Sequence, residues 1–509
     1  HGLLAVTLDR FGGDKFLLLS CLDETVTLSG KPFNFGIHCY GDIYEPRGHK
    51  YIVDFEADPT PRITYKIGDA ILTKTMVLCP DSDQVLIKYT VEQASSAVEL
   101  KLKPFLAFRS VNTLTHQNGT ANTNMDDCAN GRCNRMYPMF PALYMQFSKK
   151  CEYHHDPQWY KDIEYSKEQE RGFDYKEDLM VPGYFSFTMK KGESVVFSAG
   201  ISEINPATLK TLWKKEEDRR IVRNDLASCL KNAASQFYKR VGDKCWLLAG
   251  YPWFHTTARE EFFSVAHCTL SIGRPEYWKA IIDDTAVEEV QLFLQGKSTD
   301  GGLQGIDEPD ALLWLIRALQ QYATHNSLEA TAEKYGNLCN DIIRFYRQQA
   351  HPRAFLHQNG LLWIDGTEQP ATWMNAVEDG RPITPRTGYV VELNALWYNA
   401  LRFTASLLQA LGKHTVADLM EYQAEIAKDA FVHTFWNGYY LNDFVTHDAT
   451  NKEVRPNQIW AAALPYSPLD KRQNKAVVDI CTKELLTPRG LRTCRLKAVA
   501  IARITWVGN

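Results

Sequence analysis

Along the first two hundred positions, apolar and polar residues alternate with the period of strands that bury one face. Arg62 to Ile67 and Ile71 to Leu78 are β-rich runs around Gly68-Asp69, a good two-residue hairpin turn. Val85, Ile87, Tyr89 and Val91 alternate with Gln84, Lys88 and Thr90, and Val98, Leu100 and Leu102 with Glu99, Lys101 and Lys103. Further strands are expected at Leu143 to Phe147, Tyr184 to Met189 and Val195 to Ala199. The Asn- and Thr-rich stretch from Ser110 to Tyr137 reads as a long surface loop. Many strands with turns between them imply an antiparallel β-sandwich over residues 1–204.

The period changes at Asn205-Pro206, a cap residue followed by a first-turn proline. Leu226, Leu230, Ala233, Phe237 and Val241 then recur at helical spacing, so residues 205–246 are expected to be linker helices. Beyond them, Ala311 to Tyr322, Leu328 to Gln349, Val391 to Leu411, Thr415 to Phe435 and Gln473 to Leu486 are helix candidates. The loops between them are long and rich in Trp, Gly, Pro and acids. Successive helices with elaborate loops at one end suit a helical toroid over residues 247–509, its pocket at the loop end.

Composition narrows the function. A net charge of −4 provides no field toward nucleic acid or a membrane surface, and no apolar run approaches the roughly 20 residues of a membrane span. The 12 cysteines are scattered; Cys128 and Cys133 are the closest pair, nothing near them completes a zinc site, and a reducing, cytoplasmic compartment is expected. The triplet Asn118-Gly119-Thr120 is a glycosylation acceptor by pattern, of a kind that arises often by chance. No metal motif, phosphate-cradling glycine loop or Ser/His/Asp arrangement is visible, and no cofactor is implied. The chain opens on His1 and enters a strand within a few residues, so a preceding segment is expected.

The 12 Trp, 24 Tyr and 24 Phe carry more information. Four loop clusters combine Trp with carboxylate, Arg or Asn. Gly250 to Phe254, with Trp253, leads to Arg259-Glu260-Glu261. Gly301-Gly302-Leu303 leads to Asp307 and Trp314. Trp363-Ile364-Asp365 leads to Thr372-Trp373-Met374-Asn375, then Thr384-Pro385-Arg386, then Glu392 to Asn399 with Trp397. Arg455-Pro456-Asn457-Gln458-Ile459-Trp460 precedes Leu486 to Thr493. Flat apolar platforms beside fixed polar groups suit a sugar. The bland alternative makes Trp253, Trp314 and Trp397 core aromatics and Arg259, Glu260 and Glu392 an ion network. Four clusters in consecutive helical segments favour one shared pocket holding Trp253, Arg259, Glu260, Asp307, Trp373, Arg386, Glu392, Trp397, Asn457 and Trp460.

In order, the clusters resemble the C-terminal barrel of glycogen debranching enzymes, the amylo-α-1,6-glucosidase family, from about Gly250 to Thr493. His1-Gly2-Leu3-Leu4 onward to Asp23-Glu24 resembles the family's N-terminal sandwich, and Thr384-Pro385-Arg386 through Glu392-Leu393-Asn394-Ala395-Leu396-Trp397-Tyr398-Asn399-Ala400-Leu401 is the most specific string. The resemblance implies a β-sandwich followed by an (α/α)6 barrel, incomplete at the C-terminus. It also implies inverting hydrolysis of α-1,6-linked glucose in glycogen or limit dextrin without a cofactor. An inverting hydrolase needs an acid and a base. The family's acid is an Asp in Thr-Trp-Met-Asp, where this sequence has Asn375, and an amide cannot protonate a leaving oxygen. Asp365, Glu368 and Asp379 are nearby carboxylates that could substitute. Where the family has Trp-Gly-Arg-Asp, this chain has Thr257-Ala258-Arg259-Glu260. Two competing expectations follow: a non-catalytic glucan-binding paralogue, or an exo-glycosidase of another linkage preference, glucoamylase- or trehalase-like. Finally, the family's text breaks off after Thr493. Codons for Cys494 to Val507 can be chosen so that the neighbouring frame reads like the family's Leu-Ser-Pro loop. A frameshift is therefore expected there, with the general base beyond Asn509 and the chain itself inactive.

Overall fold

A computed structural model describes residues 2–250, 253–298 and 302–495. The chain divides into two compact units, His1–Ala233 and Ala234–Asn509.

The first unit is the expected antiparallel sandwich. One sheet runs in the order Leu4–Leu8, Asp14–Leu28, Val98–Ser110, Lys176–Met189, Glu152–Glu164, with Lys31–Asn34 paired on Asp14–Leu28. The other runs from Asp126–Cys128 through Gly131–Asn134, Leu143–Phe147, Ser194–Gly200, Gln84–Gln93, Ala70–Cys79 and Arg62–Ile67 to Ile52–Glu56. The inward positions of both sheets make one core, including Leu18, Leu22, Val26, Leu100, Leu102, Ile87 and Phe197, as period-two patterning requires. The Ser110 to Tyr137 loop is corrected in part: Asp126–Cys128 and Gly131–Asn134 form a hairpin that adds two strands to the second sheet.

The Asn205 cap is present, its side chain accepting from the Ala207 N–H at 3.1 Å ahead of Pro206. The helix expected to run on to Val241 stops sooner. It spans Leu226–Ser235, with Leu226 and Leu230 exposed, and Tyr238–Val241 pairs instead with Lys244–Leu247 in a hairpin. The apolar spacing there was coincidental: Phe237 and Val241 belong to or border a strand.

The second unit is helical. Its elements are α1 (Ala258–Cys268), α2 (275–294, with a π-helical stretch Lys279–Ala286), α3 (Ala311–His325), α4 (Leu328–Arg347), α5 (Val391–Ala410), α6 (His414–Phe435), α7 (Ile459–Ala463) and α8 (Lys471–Leu485). Helices α1, α3, α5 and α7 contact each other in succession. α4 packs on α3 and α5, α6 on α5, and α8 on α7. Among the described residues three inner–outer pairs are thus laid down, α3–α4, α5–α6 and α7–α8, with α2 packed on α4, the alternation of an (α/α)6 barrel. The inner helix α5 is buried almost all round, whereas the outer α4 buries only a stripe that includes Tyr335, Cys339, Ile342 and Tyr346, which is how period and position are linked. Chain economy then fixes the site. The links after the inner helices α3 and α5 are short and the one after α7 is of modest length, whereas those before α3, α5 and α7 span 295–310, 348–390 and 436–458. The long loops therefore collect at the N-terminal ends of the inner helices. They are not all irregular: Ala354–Leu356, Leu362–Ile364, Gly388–Val390, Phe444–Val445 and Thr450–Asn451 form a small five-stranded sheet, a correction to the expectation of helix and loop alone. Residues 251–252, 299–301 and 496–509 lie outside the described residues, so Tyr251, Pro252, Gly301 and the frameshift expected after Thr493 do too, apart from Cys494 and Arg495.

Candidate active site

Two ion networks organise the loop end. Arg259, in the first turn of α1, donates from Nε to both oxygens of Asp310 at 2.8 and 2.9 Å and from a terminal nitrogen to Glu308 at 3.1 Å. Burial alone would lower the Arg259 pKa, but Asp310 and Glu308 hold it above the ordinary value. Asp310 immediately precedes α3, yet its carboxylate does not cap that helix. It serves Arg259 and accepts from the Trp314 indole at 3.1 Å. Glu308 also meets Arg353 at 3.1 Å, and Arg353 donates to the Pro370 carbonyl at 2.5 Å. Burial raises the Glu308 pKa against the opposing pull of both arginines. Arg353 therefore ties the loop before α3 to the loop that carries Trp373 and Asn375.

The second network is buried deeper. Arg386, 2% exposed, donates to Asp443 at 3.0 Å from Nε and again at 3.0 Å from Nη2, and to Glu392 at 2.8 Å, with a further bond from Nη1 to Glu392. Burial raises the Glu392 pKa while Arg386 pulls it down; the Arg386 pKa, which burial alone would lower, is held up by Asp443 and Glu392. Asn457 donates to Asp443 at 2.7 Å and accepts from the Trp373 indole at 2.8 Å. Gly366 lets the neighbouring strand approach, since a Cβ there would lie 2.5 Å from the Arg386 carbonyl oxygen.

The sequence-derived residues divide by exposure. Trp373, Asn375, Asp307 and Trp253 are exposed. The Trp373 ring is 39% exposed and fixed at its indole nitrogen, as a platform should be. Glu260 is half-buried and accepts from the Thr257 hydroxyl at 2.5 Å. Arg259, Arg386, Glu392 and Asn457 are wall residues, and direct sugar contact by Arg386 and Glu392 is corrected: both are at most 3% exposed and spend their donors and acceptors on each other and on Asp443. Trp397 is likewise corrected to core; it is 2% exposed and donates to the Gly360 carbonyl at 3.1 Å. Trp460 packs edge-on against Trp314 at 4.9 Å and Phe263 at 5.7 Å. Asp365 is exposed and accepts from the Thr367 N–H at 2.9 Å and the Thr387 hydroxyl at 3.2 Å, which lowers its pKa and keeps it an anion. Glu368 and Asp379 are exposed, Asp379 at the first of two positive-φ positions in a two-residue turn.

Sequence reasoning missed Glu308, Asp310, Arg353 and Asp443. The run Asp307-Glu308-Pro309-Asp310 ahead of a helix was a signal, but one that reads equally as capping. Asp443 had none, because its partners lie 14 and 57 residues away.

Residues 1–196 match the family model described as glycogen debranching enzyme N terminal, and residues 231–500 match that of amylo-alpha-1,6-glucosidase. The chain belongs to the amylo-alpha-1,6-glucosidase family. It is a glycoside hydrolase by that membership. The crystal structure of a bacterial glucoamylase complexed with acarbose is similar to it at a TM-score of 0.51 and 10% identity, over 94% of this chain and 74% of that one. That likeness shows a shared fold. Among curated proteins, none matches the chain in sequence. As an amylo-alpha-1,6-glucosidase family member it carries Asn375 where the resemblance places the acid, and no helix among its described residues is long and apolar enough to cross a membrane.

Proposed function

We propose that the helical unit binds the non-reducing end of a branched α-glucan, such as glycogen or a limit dextrin, and that its ancestral reaction is inverting hydrolysis of α-1,6-linked glucose. The observation that carries this reading is the bonded path Arg259–Glu308–Arg353–Pro370, which fixes the loops bearing Asp307, Trp373 and Asn375 at one end of the inner helices. Trp373 supplies the stacking face, and Asp307 and Glu260 supply acceptors for hydroxyls. Asp365, held as an anion, suits a base or a hydroxyl acceptor and is a poor proton donor. Asn375 can hydrogen-bond the glycosidic oxygen without protonating it.

A second reading, glucan binding without turnover, is favoured by Asn375 and Asp365: an amide cannot protonate a leaving oxygen, and Asp365 is held ionised. Glucose release from a branched limit dextrin, set beside retention on immobilised glycogen, separates the two. Release that rises about 10²–10⁴-fold in Asn375→Asp supports an acid position at 375. Fast release by the natural protein with no gain in Asn375→Asp puts the acid elsewhere. Retention with no release in either form selects the binding reading, and preference for maltose-type or trehalose substrates over α-1,6 stubs rejects the linkage assigned here.

A further inference from the structure

We propose that Cys21, Asp23 and His38 in the sandwich unit form a binding site for a thiophilic divalent cation of the Zn²⁺ class. One ligand atom from each of the three residues lies within 4.8 Å of the others. Cys21 and Asp23 are two apart on the strand Asp14–Leu28, so both point to the same face. That face is opposite the inward Leu22 and Val26 of the main core. His38 comes from the next crossing of the chain, Nε2 2.8 Å from Asp23 Oδ2.

The segment that carries His38 is locked in place. The Phe35 N–H donates to the Glu24 carbonyl at 2.8 Å, and the Gly48 N–H to the Gly36 carbonyl at 3.0 Å. A Cβ at Gly36 would lie 2.5 Å from the Asp23 carboxyl, so the bare glycine leaves that carboxyl its room. The His38 ring, 9% exposed, rests on Phe105 at 4.9 Å between centroids. Two donors therefore sit on the strand Asp14–Leu28 of the large sheet and the third on the short strand His38–Tyr40, which pairs with Ile43–Glu45, and the set is partly shielded from water.

The donor set suits the ion. Thiolate, imidazole and carboxylate are all zinc ligands, at about 2.0–2.3 Å, and three protein ligands leave a fourth position for water. A tetrahedral ion with such bonds spaces its ligands by roughly 3.3–3.7 Å, so the set needs only a contraction of about 1 Å at its widest. The ion replaces the hydrogen bond between His38 and Asp23. No lysine competes for Asp23 from the facing strand: Lys103, directly opposite it, donates to the Tyr160 hydroxyl at 3.0 Å. Binding is proton-balanced. The Cys21 thiol loses its proton to solvent as sulfur bonds the metal, His38 coordinates through Nε2 with its remaining proton on Nδ1, and the Asp23 carboxylate enters as it stands.

Cobalt is the probe. The whole chain, stripped with chelator and titrated with Co²⁺, should develop thiolate-to-cobalt charge-transfer absorption that saturates near one ion per chain, releases about one proton per ion and is bleached by Zn²⁺. Cys21→Ser should abolish the band and weaken Zn²⁺ binding by more than about 100-fold, since loss of an outer-shell partner alone costs 10–100-fold. Cys128→Ser, in the distant hairpin, should leave both unchanged. Circular dichroism of metal-free Cys21→Ser should match the parent, and His38→Gln provides a second variant if it does not. A band that survives Cys21→Ser and His38→Gln, or Zn²⁺ binding equal in parent and variants, overturns the proposal.

Discussion

Replacing Arg386 with Met tests whether the wall of the candidate site is held by charge. The substitution is close in volume but removes the only cation that contacts Glu392 among the described ion pairs. Glu392 and Asp443 would remain, 3% and 2% exposed, without their shared counter-ion. Adding the lost charge-assisted bonds at about 1.5–3 kcal/mol each overshoots, because one carboxyl can take up a proton. Burial already pushes Glu392 in that direction. Breaking a buried pair by removing one partner costs about 3–5 kcal/mol. For a unit of this size that lowers its transition by roughly 6–20 °C, at about 2–4 °C per kcal/mol. Differential scanning calorimetry at pH 7 gives the number, and the deficit should shrink toward pH 4 as Glu392, its pKa raised by burial, protonates. The double variant Arg386→Met/Glu392→Gln should recover part of the loss. A single variant within about 1 kcal/mol of the parent at pH 7 would show that the two carboxylates do not depend on Arg386.

Three further outcomes follow from the same geometry. Burial lowers the His351 pKa from 6.5 to about 4; a base with a depressed folded pKa contributes fully above pH 6.5, so stability should fall by about 3 kcal/mol between pH 6.5 and 4, and denaturation curves of His351→Gln should lack that component. Glu261 is fully buried with its pKa raised by burial and further by Glu289, and one of its oxygens has no partner. A raised folded pKa means stability lost as pH rises past 4.5, so Glu261→Gln should gain on the parent between pH 5 and 8 in urea midpoints, and a variant that falls behind at pH 8 contradicts a protonated Glu261. Trp373→Ala should weaken retention on immobilised glycogen by roughly 2–13-fold, the equivalent of 0.5–1.5 kcal/mol of ring contact, and lower the thermal transition by only roughly 2–4 °C, the worth of about 1 kcal/mol for the lost indole bond to Asn457.

Periodicity was enough for much of this fold. The alternation of Val98, Leu100 and Leu102 settles which face of a strand is buried, and the strands Arg62–Ile67 and Leu143–Phe147 run where the pattern placed them. The long helices α3 to α6 begin and end within a few residues of their apolar stripes. Composition of the loops marked the end of the inner helices where the long loops gather, because loops that must be long and hold Trp, Arg and acids are seldom mere connectors. What sequence could not do was tell wall from lining. Trp397, Arg386 and Glu392 have the residue types of a sugar site, but Trp397 and Glu392 lie on the inner helix α5 and face other helices, and Arg386, in the loop before it, is buried against Glu392 and Asp443; Trp373 and Asn375 sit in a loop and face out. Short patterns also misled: Leu226 to Val241 has helical spacing, yet the chain turns into a hairpin because Gly242-Asp243 allows Tyr238–Val241 to pair with Lys244–Leu247. The Arg386–Asp443–Asn457 network and the Cys21–Asp23–His38 trio were illegible for one reason. Ion pairing and metal ligation depend on distance in space, and partners 57, 14 and 15 residues apart become neighbours only when sheet and helix have packed.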